Sequence, residues 1–475
     1  MEKAKGETIN MQLIDPQSPY KVNNELASSG LSTPDAPMSP TTHSEESYDP
    51  HKHRNVPNPT SNAETLIHLL KGSLGTGILA MPNAFCNSGL VTGVIATVII
   101  GALCTYCLHV LVRAQYKLCK RLRVPILSYP MSMKCALEQG PRCVKWFSPY
   151  APGLVDGFMI AYQLGICCVY IVFVAKNIKQ VADQYWEPLD IQIHMFILLL
   201  PLILINYIRN LKLLAPFSTL ANIITFIGLG MIIVYMFEDV PSISDRQMFG
   251  TVRNFALYFG TTLFALEAVG VIIALENNMK TPQYFGGYCG VLNIGMTVIV
   301  TLYILMGFFG YLKYGSSAGG SVTFNLPEDQ VMAQSIKIMF AIAIFITYAL
   351  QGYVPVDIIW NTYLNQRIQN RKILWEYVCR TLVTLATFTL AITVPRLGLF
   401  ISLFGALCLS ALGIAFPAII EICALWPNEL GPYKIFLIKD LALILFGLIG
   451  LVVGTYVSIV DIILSFSPDA GPQND

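Results

Sequence analysis

Charged residues are scarce in this sequence, and the motifs of several large enzyme classes are missing. Only 12% of the 475 residues are Asp, Glu, Lys or Arg, whereas a typical soluble domain contains about 25%. The sequence has no phosphate-binding P-loop, no H-E-x-x-H zinc motif and no G-x-S-x-G nucleophile turn. We therefore expect neither ATP-driven transport nor hydrolysis, and the sequence predicts that the protein is not an enzyme.

Metal ions, cofactors and nucleic acids also lack their usual sequence signatures. Most of the twelve cysteines lie in apolar runs, and the C-x-x-C pair Cys104 and Cys107 is inside such a run, where packing explains it. The formal net charge is +1, so bulk charge gives no reason to expect a nucleic-acid partner. We expect neither a metal site nor a cofactor.

Long apolar runs are what the sequence does contain. Its residues are 54% hydrophobic and its mean hydropathy is +0.58, which indicates a protein that crosses the lipid bilayer many times. A bilayer core of about 30 Å needs about 20 helical residues at about 1.5 Å per residue. Eleven segments are long enough: 64–86, 90–116, 153–181, 191–208, 213–237, 251–275, 287–312, 331–360, 373–394, 397–425 and 436–464.

The loops between these segments alternate in charge. Basic residues follow the second, fourth and eighth segments, and acidic residues follow the third, fifth and seventh. The positive-inside rule then places the amino terminus in the cytoplasm. We predict a disordered cytoplasmic tail at 1–58, a transmembrane domain at 59–465 and a short external or lumenal tail at 466–475.

The first segment contains three glycines within six residues, at Gly72, Gly75 and Gly77. Each costs about 1 kcal/mol relative to alanine inside a helix. One interpretation is that they unwind the helix, so that freed backbone N–H and C=O groups bind the charged ends of a ligand. The other is close helix packing. Ser73 and Thr76 beside the glycines, and Pro82 after them, favour unwinding.

A similar mixture of small and polar residues occurs in the sixth segment, between Phe259 and Gly270, with the carboxylate of Glu267 in mid-span. Interruptions at matching positions of two halves are typical of transporters that are built from inverted repeats. The halves would be spans one to five and six to ten, with the eleventh outside the repeat.

Two side chains near these interruptions are candidates for holding a proton. His68 lies one turn before Gly72, and histidine titrates near physiological pH. Glu267 is a carboxylate inside a span, where a charge costs on the order of 2.5–3.5 kcal/mol and usually has a function. The structural alternatives are a hydrogen-bonded histidine near the helix start and a polar contact across a helix interface.

The run from Thr65 to Leu79 closely resembles the first span of proton-coupled amino acid transporters, the solute-carrier branch (family 36 type) of the amino acid/auxin permease family. The similarity covers roughly residues 58–465. Further matching stretches are Phe264–Val271 with Leu275–Asn277, Ile208–Leu211, Thr347–Gln351 with Val354–Pro355, and Val453–Tyr456.

This resemblance implies an all-α membrane protein of eleven helices, with the inverted 5+5 repeat of the leucine-transporter type plus one extra helix. It also implies symport of a proton with small, mostly zwitterionic amino acids, driven by a proton gradient. The family's proton-coupling histidine falls on His68. Ser73 and Ala268 depart from the family, which often has Asn and Gly there.

The functional hypothesis is therefore a proton-coupled amino acid symporter that works by alternating access, with His68 or Glu267, or both, holding the proton. The alternatives are a lysosomal amino acid sensor with little flux, whose tail recruits signalling partners, and a sodium-coupled or uncoupled facilitator. The expected location is the plasma membrane or the lysosomal or endosomal membrane. The candidate substrate-binding residues are Gly72, Ser73, Gly75, Thr76, Gly77, Phe264, Ala265, Leu266 and Gly270.

Overall fold

A computed structural model describes residues 48–57, 59–209, 211–266, 269–394 and 396–466. Almost all of these residues are helical, and within these ranges the extended pairing is a single isolated bridge between Thr60 and Met279. The predicted all-α membrane fold is confirmed. Several predicted features lie outside the described residues: residues 1–47 of the amino-terminal tail, residues 467–475 of the carboxyl-terminal tail, the proton candidate Glu267, and Ala268, which departs from the family pattern.

The described residues form sixteen α-helices. They are α1 Asn62–Ser73, α2 Thr76–Ser88, α3 Leu90–Leu122, α4 Tyr129–Gln139, α5 Arg142–Lys145, α6 Ala151–Ala182, α7 Ile191–Asn206, α8 Leu211–Phe237, α9 Val252–Leu266, α10 Val269–Asn278, α11 Val291–Tyr314, α12 Val331–Asp357, α13 Lys372–Thr393, α14 Leu397–Phe404, α15 Phe416–Leu425 and α16 Ile435–Leu464. Two π-helical stretches add to these: Ile358–Leu364 continues α12, and Gly405–Ala415 joins α14 to α15.

Nine helical stretches in the described parts of the chain are long and apolar enough to cross a membrane. A further apolar helix, α7, has only 16 residues. The first predicted span consists of two shorter helices, α1 and α2, so neither half meets that length alone. Eleven spans and the inverted repeat therefore stay predictions.

Contacts between chain segments at the helix ends are compatible with the predicted alternation of the spans. At one end of the bundle, Lys117 pairs with Glu429, and Arg209 pairs with Glu376. At the opposite end, Gln184 donates to Glu328 at 3.1 Å. The end that carries the start of α1 is called the tail side below, and the other end is called the far side. The basic loops predicted to lie together are on the tail side.

The start of α1 is fixed by local hydrogen bonds. The Ser61 hydroxyl accepts from the Glu64 N–H at 3.3 Å, and the Glu64 carboxylate accepts from the Ser61 N–H at 2.7 Å. This reciprocal capping box satisfies two amides that a helix start leaves unpaired. The bridge from Thr60 to Met279 then ties the entry of α1 to the end of α10.

Residues 48–57 differ from the prediction of a disordered tail up to residue 58. Pro50–His53 form a 3₁₀ turn, and the Asp49 side chain accepts from the His51 N–H at 3.1 Å. The segment is polar and lacks any helical period, which explains the prediction, but its order comes from contacts with the bundle. The packed structure thus begins about ten residues earlier than expected.

Candidate functional site

The helix of the first span is interrupted at Leu74 and Gly75, between α1 and α2. Leu74 has φ −84° and ψ 72°, and Gly75 has φ −118° and ψ −147°, so both residues leave the helical region. The predicted unwinding at 72–77 is confined to these two residues, because Ser73 ends α1 and Thr76 begins α2. A helix end and a helix start therefore face each other inside the bundle.

Opposed helix termini have complementary partial charges. The first amides of α2 have no side-chain cap and point toward the break, where an anion is favoured. The last carbonyls of α1 favour a cation. The two charges of a zwitterionic amino acid match this arrangement.

The three glycines of the first span have different environments. A Cβ atom on Gly77 would lie 2.6 Å from the Ala265 Cα, so packing against α9 excludes any side chain there. A Cβ on Gly72 would lie at an ordinary 3.7 Å from the side chain of Val271 in α10. A Cβ on Gly75 would lie 3.7 Å from the Tyr170 hydroxyl of α6. The close-packing interpretation therefore applies to Gly77, and the unwinding interpretation applies to Gly75.

We expect Gly77→Ala to lower the melting temperature of the detergent-purified protein by several degrees. An added methyl group must displace α9 backbone, and overpacking of this kind costs about 1–3 kcal/mol. Gly230→Ala in α8 is the matched control, because a Cβ there meets nothing within 4 Å. Equal melting temperatures for Gly77→Ala and the parent protein would show that this contact is not tight.

Tyr303 of α11 connects the two interrupted motifs. Its side chain is fully buried, and its hydroxyl donates to the Ala265 carbonyl at 2.8 Å and also contacts the Ser73 carbonyl. Ser73 O is at the end of α1, and Ala265 O is at the end of α9. A single side chain thus holds both helix ends in register.

The Ser73 side chain is a candidate ligand contact. Ser73 is 4% exposed, and its hydroxyl has no hydrogen-bond partner among the residues that the structure describes. A buried polar atom without a partner costs about 1–3 kcal/mol, so such atoms usually meet a ligand or water. Its position beside the break is consistent with the substrate-binding role predicted from the sequence.

The second motif reaches the same region through α9. Phe264, Ala265 and Leu266 are buried at the end of this helix, and Phe264 packs edge-on against Tyr162 of α6 with ring centres 6.0 Å apart. Thr76 is also buried, at the start of α2. Gly270 differs, because it is exposed and a Cβ there would meet nothing within 4 Å.

His68 is half-buried in α1, one turn before Gly72, as the sequence indicated. The second proton candidate, Glu267, lies outside the described parts of the chain. His68 and eight of the nine predicted substrate-binding residues lie at or next to the ends of α1 and α9 and the start of α2. Gly270 is the exception.

A short segment before α1 packs against the tail-side ends of α3 and α10. We call residues 48–54 the strap. Arg54 donates to the Glu276 carboxylate of α10 at 2.9 Å and to the Pro125 carbonyl at 3.3 Å. The side chains of Arg54 and Glu276 are only 6% and 7% exposed, so this is a buried ion pair.

His51 adds to the strap mainly by packing. Its ring lies edge-on to Tyr116 of α3, and its Nε2 is 3.6 Å from the Glu276 carboxylate. Burial, followed by the positive charge of Arg54, lowers the pKa of His51 despite the opposing effects of Glu276 and Asp49. The imidazole is therefore largely neutral at pH 7, and the charge attraction to Glu276 comes from Arg54.

Tyr303, Tyr170 and the strap were not found by sequence reasoning. A tyrosine in an apolar span carries no distinguishing signal, and the carbonyl partners of Tyr303 are 230 and 38 residues away in the chain. The strap had little signal in the sequence: Arg54 lies a few residues before the family resemblance begins at about residue 58.

Comparisons with known proteins identify the family of this chain. The sequence profile of the family described as transmembrane amino acid transporter protein matches residues 58–460. The proton-coupled amino acid transporter-like protein pathetic of Drosophila melanogaster is 41% identical over 425 residues, covering 88% of this chain and 89% of the relative.

A yeast protein is a more distant relative. Vacuolar amino acid transporter 4 of Saccharomyces cerevisiae is 25% identical over 437 residues, which cover 84% of this chain and 58% of the yeast protein. These relatives are named as transporters, and this protein is likewise a transporter and not an enzyme. The profile match over most of the chain, together with the 41% identity to the Drosophila protein, shows that the chain belongs to the transmembrane amino acid transporter family.

Proposed function

We propose that the protein is a symporter that carries small neutral amino acids together with protons. The observation that carries this proposal is the break at Leu74–Gly75, where helix ends of opposite polarity meet beside Tyr303. The substrate carboxylate binds the first amides of α2, and the ammonium binds carbonyls at the end of α1 or of α9.

The size and polarity of the surroundings support this substrate class. The Tyr170 hydroxyl lies close to Gly75, and Phe264 and Leu266 are buried beside the break. A large or charged substrate side chain would have to displace these groups. Glycine, alanine and proline are therefore the first substrates to test.

For the driving ion we infer a proton. Two observations support this choice: the half-buried position of His68 one turn from Gly72, and the words "proton-coupled" in the name of the Drosophila relative. His68, Glu267 or both hold the proton during transport. Sodium coupling is the nearest rival, and ion replacement distinguishes the two.

Alternating access is supported by the strap. It joins α10 and α3 through Arg54, Glu276 and Tyr116, while the Thr60–Met279 bridge joins α1 to α10. We propose that these contacts close the tail side, that this side faces the cytoplasm, and that α1 and α10 move when it opens. The basic loops on this side support the orientation. The plasma membrane and the lysosomal or endosomal membrane are both compatible with it.

We expect Arg54→Ala to open the tail side. Removing Arg54 takes the hydrogen-bonded ion-pair partner from the buried Glu276 carboxylate, and breaking a buried pair costs about 3–5 kcal/mol. Cys119 of α3 is 3% exposed and lies near Arg54. Its labelling by a maleimide should therefore rise several-fold, measured by peptide mass spectrometry, which separates it from the exposed Cys143 and Cys289.

Arg253→Ala is the control for this experiment. Arg253 pairs with Asp461 on the far side, and the arginine side chain is 56% exposed, so its loss costs only about 0–1 kcal/mol. Unchanged labelling of Cys119 in Arg54→Ala would contradict the role of the strap.

The proposed function is tested by uptake into proteoliposomes that contain the purified protein. Radiolabelled alanine, glycine and proline are supplied with and without an inward proton gradient, and with sodium replaced by choline. We expect the gradient to increase uptake in both salts. Uptake that ignores the proton gradient would contradict the proposal and indicate a facilitator, and uptake that requires sodium would indicate a sodium symporter.

A further inference from the structure

An amphipathic groove lies on the outer surface of the bundle, away from the substrate site. It runs between α3 and α11 and has a volume of about 870 Å³. The two helices are in close contact at the floor of the groove. A Cβ atom added to Gly101 would lie only 2.4 Å from a methyl carbon of Val300. The groove opens to the outer surface of the bundle.

The inner half of the groove presents an apolar surface, because its polar side-chain atoms are hydrogen-bonded within their own helices. Three threonines line it, but each hydroxyl donates to a carbonyl of its own helix: Thr105 to Gly101 at 2.7 Å, Thr297 to Asn293 at 2.8 Å and Thr301 to Thr297 at 2.8 Å. Their polar atoms are satisfied, so a hydrocarbon neighbour costs little. The aliphatic side chains beside them are Val98, Ala102, Val300 and Ile304.

The tail-side end of the groove is polar and carries a cation. The Arg113 side chain is 58% exposed there, and no acceptor among the described residues lies within hydrogen-bond distance of its guanidinium. One guanidinium nitrogen forms an ion pair at 3.6 Å with the Glu421 carboxylate, which is also bonded to Lys439. Arg113 therefore has several N–H groups available for an anion.

The loop beside Arg113 is held in place by a separate set of hydrogen bonds. His109 of α3 bonds the Asn293 side-chain oxygen of α11 at 2.7 Å. The Asn293 side-chain amide in turn donates to the carbonyls of Gly287 and Tyr288, each at 3.1 Å. This end of the groove is therefore preformed.

The length of the groove matches one leaflet of a bilayer. Val98 and Arg113 are fifteen positions apart on α3, which corresponds to about 22 Å at about 1.5 Å per residue. Half of a hydrocarbon core of about 30 Å is about 15 Å, and the headgroup region adds several ångströms. An acyl chain that starts beside Arg113 would end near Val98.

We propose that this groove binds one anionic phospholipid from the tail-side leaflet. The phosphate is bound by Arg113 next to the His109–Asn293 contact, and an acyl chain lies along Ala102, Val300 and Ile304. The exposed guanidinium at one end and the apolar wall at the other, whose polar atoms are satisfied, favour an anionic lipid. A bound lipid of this kind ties α3 to α11, the helix that carries Tyr303.

Native mass spectrometry of the detergent-purified protein tests this proposal. Phosphatidylglycerol, phosphatidylcholine and free glycerol 3-phosphate are added in separate arms at equal concentration. We expect one phosphatidylglycerol to stay bound, at least fivefold more often than phosphatidylcholine. Equal retention of the two lipids, or displacement of the bound lipid by glycerol 3-phosphate, would overturn the proposal.

Two variants locate the site, and a third serves as control. Arg113→Ala removes the cation, and Ala102→Phe fills the apolar wall, so each should lower phosphatidylglycerol retention at least fivefold. Lys120→Ala removes an exposed cation of α3 that does not line the groove and should leave retention unchanged. The melting temperature of each variant establishes that it is folded. Folded Arg113→Ala and Ala102→Phe proteins that both keep the lipid would place it elsewhere.

Discussion

Replacing Tyr303 with Phe should lower the rate of amino acid uptake about tenfold or more. The hydroxyl donates to the Ala265 carbonyl and contacts the Ser73 carbonyl, so its loss takes a buried donor from the Ala265 carbonyl and removes the contact that joins the two helix ends. A buried group without its partner costs about 1–3 kcal/mol, and about 1.4 kcal/mol corresponds to a tenfold change. Initial rates in proteoliposomes at saturating alanine measure the effect.

The same helix supplies a matched control for this variant. The hydroxyl of Tyr314 is buried, and it has no hydrogen-bond partner in the part of the chain that the structure describes. Tyr314→Phe should therefore leave uptake close to the parental rate. If Tyr303→Phe transports as well as Tyr314→Phe, the two helix ends do not depend on this side chain.

His68→Ala should abolish the part of uptake that depends on the proton gradient. With no group at this position to take up a proton, an inward gradient should no longer drive accumulation of substrate. Exchange of internal for external labelled alanine needs no net proton movement, so it should persist in the variant. Comparing accumulation with exchange in the same proteoliposomes thus separates a coupling role from a folding role.

His194→Ala is the control for this experiment, since His194 is buried near the far side and contacts the Asp190 carbonyl at 3.3 Å. It should change accumulation and exchange equally or not at all. Full gradient-driven accumulation by His68→Ala would remove His68 from the coupling mechanism and leave Glu267 as the remaining candidate.

Several span boundaries could be predicted from the sequence to within two residues. The third segment was expected at 153–181 and forms Ala151–Ala182, and the fourth was expected at 191–208 and forms Ile191–Asn206. Hydropathy is sufficient there because a helix that crosses the bilayer must be apolar over a fixed length.

Where hydropathy is weak, the prediction missed structure. The polar stretch after the second segment contains the helix α4, which was not expected. Its Tyr129 hydroxyl donates to the Leu412 carbonyl at 2.5 Å, and Gln115 of α3 donates to Ser132 at 2.9 Å. Leu412 is far from Tyr129 in the sequence, and Ser132 is a short polar side chain. Neither contact leaves a hydropathy pattern from which α4 could be predicted.

The same limit applied to the site. The glycine spacing correctly indicated an interruption near residue 75, because glycine is costly inside a helix. It did not separate Gly75, which leaves the helix, from Gly77, which is excluded from having a side chain by Ala265 of α9. That difference depends on the relative position of two helices, and spacing within one helix contains no such information.

The most direct test of proton-coupled transport is the current that alanine evokes in proteoliposomes on a solid-supported membrane, at two external pH values and with or without sodium. We predict a current carried by positive charge moving with the substrate, larger at the more acidic external pH and unchanged when choline replaces sodium. A current that requires sodium, or alanine uptake without any current at either pH, would contradict the account.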